Sequence, residues 1–176
     1  MKKTNKYLID IEIDGLTNSI ENAISGDSFS TEVLPLRNYD LPMISKKQGW
    51  IFNWVNEFKI PKRELYKLTI SGNPSIIQGI MSVSDEKDHY YLHLVESAPF
   101  NIGKDKLYIG VPGNLFAYAC KLSKNKGYKG FVSFTSKTRL IDHYYKSLGA
   151  IPFGRGPKMI LYPDAADKLI LKYFKS

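Results

Sequence analysis

Tyr108-Ile109-Gly110-Val111-Pro112-Gly113-Asn114-Leu115 places two glycines ahead of a stretch in which Leu115, Phe116, Ala119 and Leu122 recur at helical spacing. Glycine lets a backbone approach a ligand closely, and the N–H groups of a helix's first turn carry the positive end of the helix dipole. A pyrophosphate suits such a turn, with Gly110, Val111, Gly113, Asn114 and Leu115 as candidate contacts. A tight turn with no ligand would use the same glycines. Neither a Walker motif nor a G-x-G-x-x-G fingerprint occurs, so ATP and NAD are not implied. Glu96 and His93, near the end of an apolar run, have the side chains of general bases. Strict alternation sets them on opposite faces of a strand, so they are not expected to work as a pair. Cys120 is the sole cysteine, and His89 and His143 lie at no ligand spacing from a carboxylate or thiol cluster. No metal and no disulfide framework is expected.

Charge separates the last third from the rest. Residues 1–64 carry nine basic and nine acidic side chains, residues 65–112 four and five, and residues 113–176 twelve and three. The net +8 is therefore local, and a field of one sign concentrates anions such as phosphates. Lysines that merely solvate helix faces would give the same count. The basic start Met1–Lys6 leads into a run broken by Asp10, Glu12 and Asp14, unlike a signal peptide, and no stretch approaches the ~20 apolar residues of a membrane span. A cytoplasmic protein with no membrane partner is expected.

The elements that would hold these groups follow from periodicity. Tyr7, Ile9, Ile11 and Ile13 alternate with polar residues as a first strand. Residues 14–47 mix glycine, proline and polar residues in short helical pieces and loops. Trp50, Ile51, Trp54, Val55 and Phe58 predict a helix over 48–58 that stops before Pro61. Leu65–Ser71, Ile76–Val83 and Tyr90–Glu96 read as three strands of an antiparallel meander. A helix over 114–124, a strand over 129–135, a helix through Leu140–Leu148 closed by Gly149, two strands at 150–153 and 158–162, and a terminal helix from Pro163 complete the chain. The order gives an α+β fold, with one crossover joining parallel strands.

Thr138-Arg139-Leu140-Ile141-Asp142-His143-Tyr144-Tyr145-Lys146-Ser147-Leu148-Gly149-Ala150 resembles a segment of the GNAT superfamily of N-acyltransferases, Asn-x-x-Ala-x-x-aromatic-Tyr-x-x-Leu-Gly-Phe. The latter half matches well, and the element order is similar over residues 65–162. The departures are Thr138 for Asn, Ile141 for Ala, Ala150 for Phe, and a glycine loop that lacks the family's arginine and holds Pro112. The resemblance implies one acyltransferase domain over 1–176, with a mixed sheet whose parallel fourth and fifth strands splay apart. It makes 14–64 the variable substrate side and 163–176 a terminal helix. It implies direct transfer of an acyl group from acetyl-CoA, or another acyl-CoA, to an amine. Tyr145 would be the acid, with Glu96 or His93 as base. Leu94, Val95 and Glu96 would pair with pantetheine, and Lys137, Thr138 and Arg139 would lie near the 3′-phosphate.

The amine acceptor, whether small molecule, peptide or aminoacyl-tRNA, is not legible in the sequence, and a homodimer is left open. Two rival readings fit the same residues: a non-catalytic binding module of this fold, and a toxin that acetylates aminoacyl-tRNA.

Overall fold

The computed structural model describes residues 19–137 and 140–174. The strand expected at 7–13, together with Thr138 and Arg139, lies outside the described residues. The described strands are β1 (Ser19–Asn22), β2 (Ser28–Pro35), β3 (Glu64–Ile70), β4 (Asn73–Asp85), β5 (Tyr90–Ser97), β6 (Tyr108–Ile109), β7 (Val132–Thr135), β8 (Ile151–Pro152) and β9 (Lys158–Leu161). They form one sheet in the order β6-β1-β2-β3-β4-β5-β7-β9-β8, in which β5–β7 is the parallel pair and every other pair is antiparallel. The expected meander is β3–β4–β5. The helices are α1 (Trp54–Lys59), α2 (Val111–Asn125), α3 (Ile141–Leu148) and α4 (Pro163–Tyr173). None of the described helices is long and apolar enough to cross a membrane.

The sheet is covered on both faces. On one, α2 packs over Met81, Val83, Tyr90, Leu92, Val132 and Phe134, and α4 packs against α2. Gly79 on β4 allows this approach, because a Cβ there would lie 2.5 Å from Val111 Cγ1. On the other face Leu36, Ile44, Trp50, Trp54, Leu65 and Ile80 form a smaller core.

The helix expected over 48–58 is shorter than its apolar spacing suggested. Two 3₁₀ turns, Asn38–Ile44 and Lys46–Gln48, end at Gly49, whose φ of 94° breaks helical continuity. Trp50 and Ile51 then run non-helically until the Asn53 side chain accepts from Asn56 N (3.1 Å) and caps α1. By contrast α2 starts earlier than expected, because Pro112 is tolerated in a first helical turn that follows a left-handed Gly110.

A buried ion pair ties the 38–44 turn to the sheet. Lys67 Nζ donates to Asp40 Oδ1 (2.8 Å) and to the Pro74 carbonyl (3.2 Å), while Asp40 Oδ2 accepts from Arg37 N (2.8 Å). Asp40 is fully buried and Lys67 nearly so. Removing one partner strands a charge in the interior. Asp40→Ala is expected to lower unfolding stability by about 3–5 kcal/mol, whereas the paired change Asp40→Leu with Lys67→Met should recover most of the loss. Urea denaturation of the three proteins checks this.

Candidate active site

The site begins where two parallel strands part. The β5–β7 ladder pairs Tyr90 with Val132, Tyr91 with Ser133 and Leu92 with Phe134, and ends there. β5 continues to Ser97 with only β4 beside it, Val95 opposite Met81 and Glu96 opposite Ile80. β7 meanwhile ends at Thr135, and Ser136 N donates to the Pro157 carbonyl (2.8 Å). The divergence coincides with a β-bulge: Ser82 faces Leu94 while Val83 faces Leu92, so His93 is the extra residue. A bulge bends its strand and increases the local twist.

Between the parted strands lies a cleft of about 410 Å³. One wall is the Leu92–Ser97 segment. The opposite wall is Phe134, Leu140 and Tyr144, and the Gly110–Pro112 start of α2 closes one end. Phe116, Phe134 and Tyr144 pack mutually, with ring centroids 5.1–5.8 Å apart. This contact sets the width of the apolar section. Lys106 and Lys137 also line the cleft.

At the α2 terminus Gly110 has φ 94°, a conformation open to glycine and strained for other residues. Val111 and Gly113 contribute first-turn N–H groups with no helical carbonyl to receive them, and Pro112 contributes none. Asn114 Nδ2 donates to the Gly110 carbonyl (2.9 Å), bracing the turn from beneath.

No family model and no curated protein matches the sequence. Solved structures match the architecture. AtaTR bound with AcCoA has a TM-score of 0.52 at 14% identity over 80% of this chain and 98% of that one. A spermidine N-acetyltransferase SpeG mutant from Vibrio cholerae has a TM-score of 0.54 at 11% identity, over 77% and 95%. The ribosomal-protein-S18-alanine N-acetyltransferase from Escherichia coli has a TM-score of 0.50 at 14% identity, over 74% and 90%. The chain has the GNAT fold.

On this GNAT scaffold several residues singled out from the sequence stand elsewhere than expected. Tyr144, not Tyr145, reaches the cleft: Tyr144 is buried, whereas Tyr145 is 56% exposed. Leu140, Tyr144 and Leu148 form the buried line of α3, four residues apart, and Tyr145 lies ~100° round from it. Burial raises the Tyr144 phenol to about 12.

Gly113 is small for a different reason from the one proposed. A Cβ there would sit 2.2 Å from Tyr173 Oη, so its missing side chain makes room for α4. Asn114 and Leu115 are interior residues of α2 rather than part of the cleft wall, while Gly110, Val111 and Lys137 do line it.

Leu94 and Val95 lie on the cleft wall. Glu96 is also there, but its carboxylate is already engaged, accepting from Ile51 N (2.7 Å), Phe52 N (3.2 Å) and Trp54 Nε1 (2.8 Å). It anchors the 50–54 segment and is ill suited to serve as a free base. His93 lines the cleft and, because of the bulge, shares a face with Glu96 toward α1 instead of opposing it. Its Nε2 is 2.7 Å from Ser84 Oγ, which donates to Glu86 Oε1 (2.5 Å). Burial, followed by the charge of Arg63, holds the imidazole below its ordinary pKa.

Tyr144 and Lys106 line the cleft, and the bulge shapes it, although neither the segment motif nor the alternation of β5 indicates them. The line of Leu140, Tyr144 and Leu148 was the available signal for Tyr144. Among the described residues no group of three metal-ligating side chains converges.

Glu96→Ala would leave two backbone N–H groups and an indole N–H without their acceptor. Hydrogen bonds to a charged group contribute about 1.5–3 kcal/mol each, so a loss of about 3 kcal/mol or more is expected in chemical denaturation. Wild-type stability in this variant would free the carboxylate for another role.

Proposed function

We propose that this protein is an N-acyltransferase that carries an acetyl or other acyl group from an acyl-CoA to an amine by direct attack. The observation that carries the reading is the cleft itself, a position in the sheet where the next strand is missing, bounded by a helix N-terminus and a buried tyrosine. The amide groups of pantetheine suit the exposed edge of Leu94, Val95 and Glu96, where they can pair as an added strand would. The pyrophosphate suits the N–H groups of Val111 and Gly113, with Gly110 permitting close approach. Lys106 and Lys137 on the cleft wall supply positive charge for the remaining phosphate. Solved structures of this fold that contain acetyl-CoA support the same reading.

In the reaction a neutral amine attacks the thioester carbonyl carbon; the C–N bond forms, the C–S bond breaks, and coenzyme A leaves as a thiolate. The amine nitrogen loses its proton as the thiolate gains one. Tyr144 is the group in the cleft that can donate to sulfur. With its phenol at about 12 and an ordinary thiol near 8.5, full proton transfer is uphill by roughly 5 kcal/mol. The hydroxyl therefore acts as a hydrogen-bond donor to the developing thiolate, an interaction present only as the bond breaks. The acceptor enters from the α1 side, past Ile51 and Phe52.

The twelve-to-three basic excess of residues 113–176 favours an acceptor that carries phosphates, of which aminoacyl-tRNA is the example with an amine at its end. The similar AtaT is a toxin.

Acetyl-CoA at ~100 times its dissociation constant should stabilise the fold by about 2.7 kcal/mol, read as a higher melting temperature. Tyr144→Phe should lower kcat by about 10²-fold or more with the acetyl-CoA Kd unchanged. Tyr145→Phe should leave both near wild type. Unchanged melting would refute acyl-CoA binding, and the opposite pattern for the two tyrosines would move the donor role to Tyr145.

A further inference from the structure

The first turn of α2 is short of donors. Pro112 has no N–H, so Val111 and Gly113 are left to offer one to an anion. Whether Val111 does so depends on the Gly110–Val111 peptide plane, which a glycine by itself holds loosely. The Gly110 carbonyl is held by two groups of one residue: Asn114 N donates to it at 3.1 Å and Asn114 Nδ2 at 2.9 Å. Both lone pairs of that oxygen are thereby used. In a trans peptide the N–H points opposite to the C=O. A carbonyl turned into the helix toward Asn114 therefore sends the Val111 N–H outward, where Gly110 and Val111 line the cleft. The Asn114 amide is itself oriented. Because the Gly110 carbonyl only accepts, Nδ2 must face it, which leaves Oδ1 to accept from Thr31 Oγ1 on β2 (3.3 Å). Asn114 is fully buried, and an asparagine inside a helix is unfavourable without such partners.

We propose that Asn114 is a positioning residue for the cosubstrate's diphosphate: it locks the Gly110–Val111 peptide with the Val111 N–H toward the ligand, and Thr31 holds the Asn114 amide in place. The proposal rests on the acyl-CoA reading above. Asn114 lies beneath the turn, does not line the cleft and takes no part in the chemistry. Its effect is to remove an alternative. With the peptide plane flipped at Gly110, a carbonyl oxygen would face the cleft and repel phosphates where an N–H should receive them. The flip would also strip Asn114 N and Nδ2 of their acceptor in the interior. This support matters more in this chain than it would with a full set of first-turn donors, because Pro112 has removed one. It also ties the donor to the sheet. Thr31 is 83 residues from Asn114 in sequence and stands opposite Ile70 in the β2–β3 ladder, so the sheet fixes the direction of the helix's first N–H.

Two acyl donors separate this role from a merely structural one. S-acetylpantetheine has the thioester and amides of acetyl-CoA without the diphosphate. Both are titrated to millimolar concentration into the ¹⁵N-labelled full chain, with the Val111 amide followed by NMR. Asn114→Leu, close in volume, removes both side-chain hydrogen bonds. It should weaken acetyl-CoA by ~10–100-fold, the scale of one hydrogen bond to a charged group, and leave S-acetylpantetheine affinity at the wild-type value. Thr31→Val removes the brace alone, at a partly exposed strand position, and should weaken acetyl-CoA by roughly 2–10-fold with the same selectivity. The Val111 amide proton should move downfield with acetyl-CoA in the wild type and stay in place in Asn114→Leu. Wild-type affinity for acetyl-CoA in both variants, or an equal loss for the two donors, overturns the positioning role while acyl-CoA binding stands. Should Asn114→Leu fail to fold, Thr31→Val decides by the same criteria. A wild type that binds both donors equally tightly has no diphosphate site at this turn, which also overturns the role. A wild type that binds neither overturns the acyl-CoA reading and the proposal with it.

Discussion

Backbone N–H and C=O groups must find partners, and along the edge of β5 beyond Leu92 the sheet supplies none. This vacancy in an otherwise continuous ladder is the constraint on which the site depends. A strand edge is a template for another extended chain, and unprotected edges invite association with other proteins. Here the edge is recessed, with Phe134, Leu140 and Tyr144 on one side and the start of α2 at the end. An extended molecule with amide groups of its own suits such an edge.

The bulge at His93 links this vacancy to the chemistry. By adding a residue to β5 it turns the strand away from β7 and brings His93 and Glu96 to the same face. The two then take separate tasks. Glu96 fixes the 50–54 segment, while His93 lines the cleft and is held by Ser84, which donates to Glu86. The other face of the sheet contributes rigidity. Gly79 and Gly113 let α2 sit close to β4 and to Tyr173 of α4, so the helix that presents its N–H groups is clamped on two sides.

Much of this architecture was legible in the sequence. Alternation found the meander, helical spacing found α2 and α3, and Gly149 marked the end of α3 at its observed left-handed position. The site was legible in outline only. Alternation assumes a constant period of two, so the bulge and the true face of His93 were hidden from it. The segment motif pointed to Tyr145, but the buried line of α3 runs through Tyr144 because packing against Phe116 and Phe134 decides which ring turns inward. The missing side chain of Gly113 looked like room for a ligand because the ring that occupies that space, Tyr173, is sixty residues away in sequence. Trp50 and Ile51 resembled the start of a helix, yet Gly49 and the Asn53 cap begin it later, freeing two N–H groups for Glu96.

In the proposed complex an acyl-CoA lies along β5 with its pyrophosphate at the start of α2. Hydrogen exchange with and without acetyl-CoA tests this most directly, because the ligand would take up amides that now face the cleft. Exchange should slow in the peptides covering Leu94–Ser97 and Gly110–Asn114, with β1, β2 and α4 unchanged. Acetyl-CoA that leaves both segments exchanging at their free rates, or protects a different surface, would contradict it.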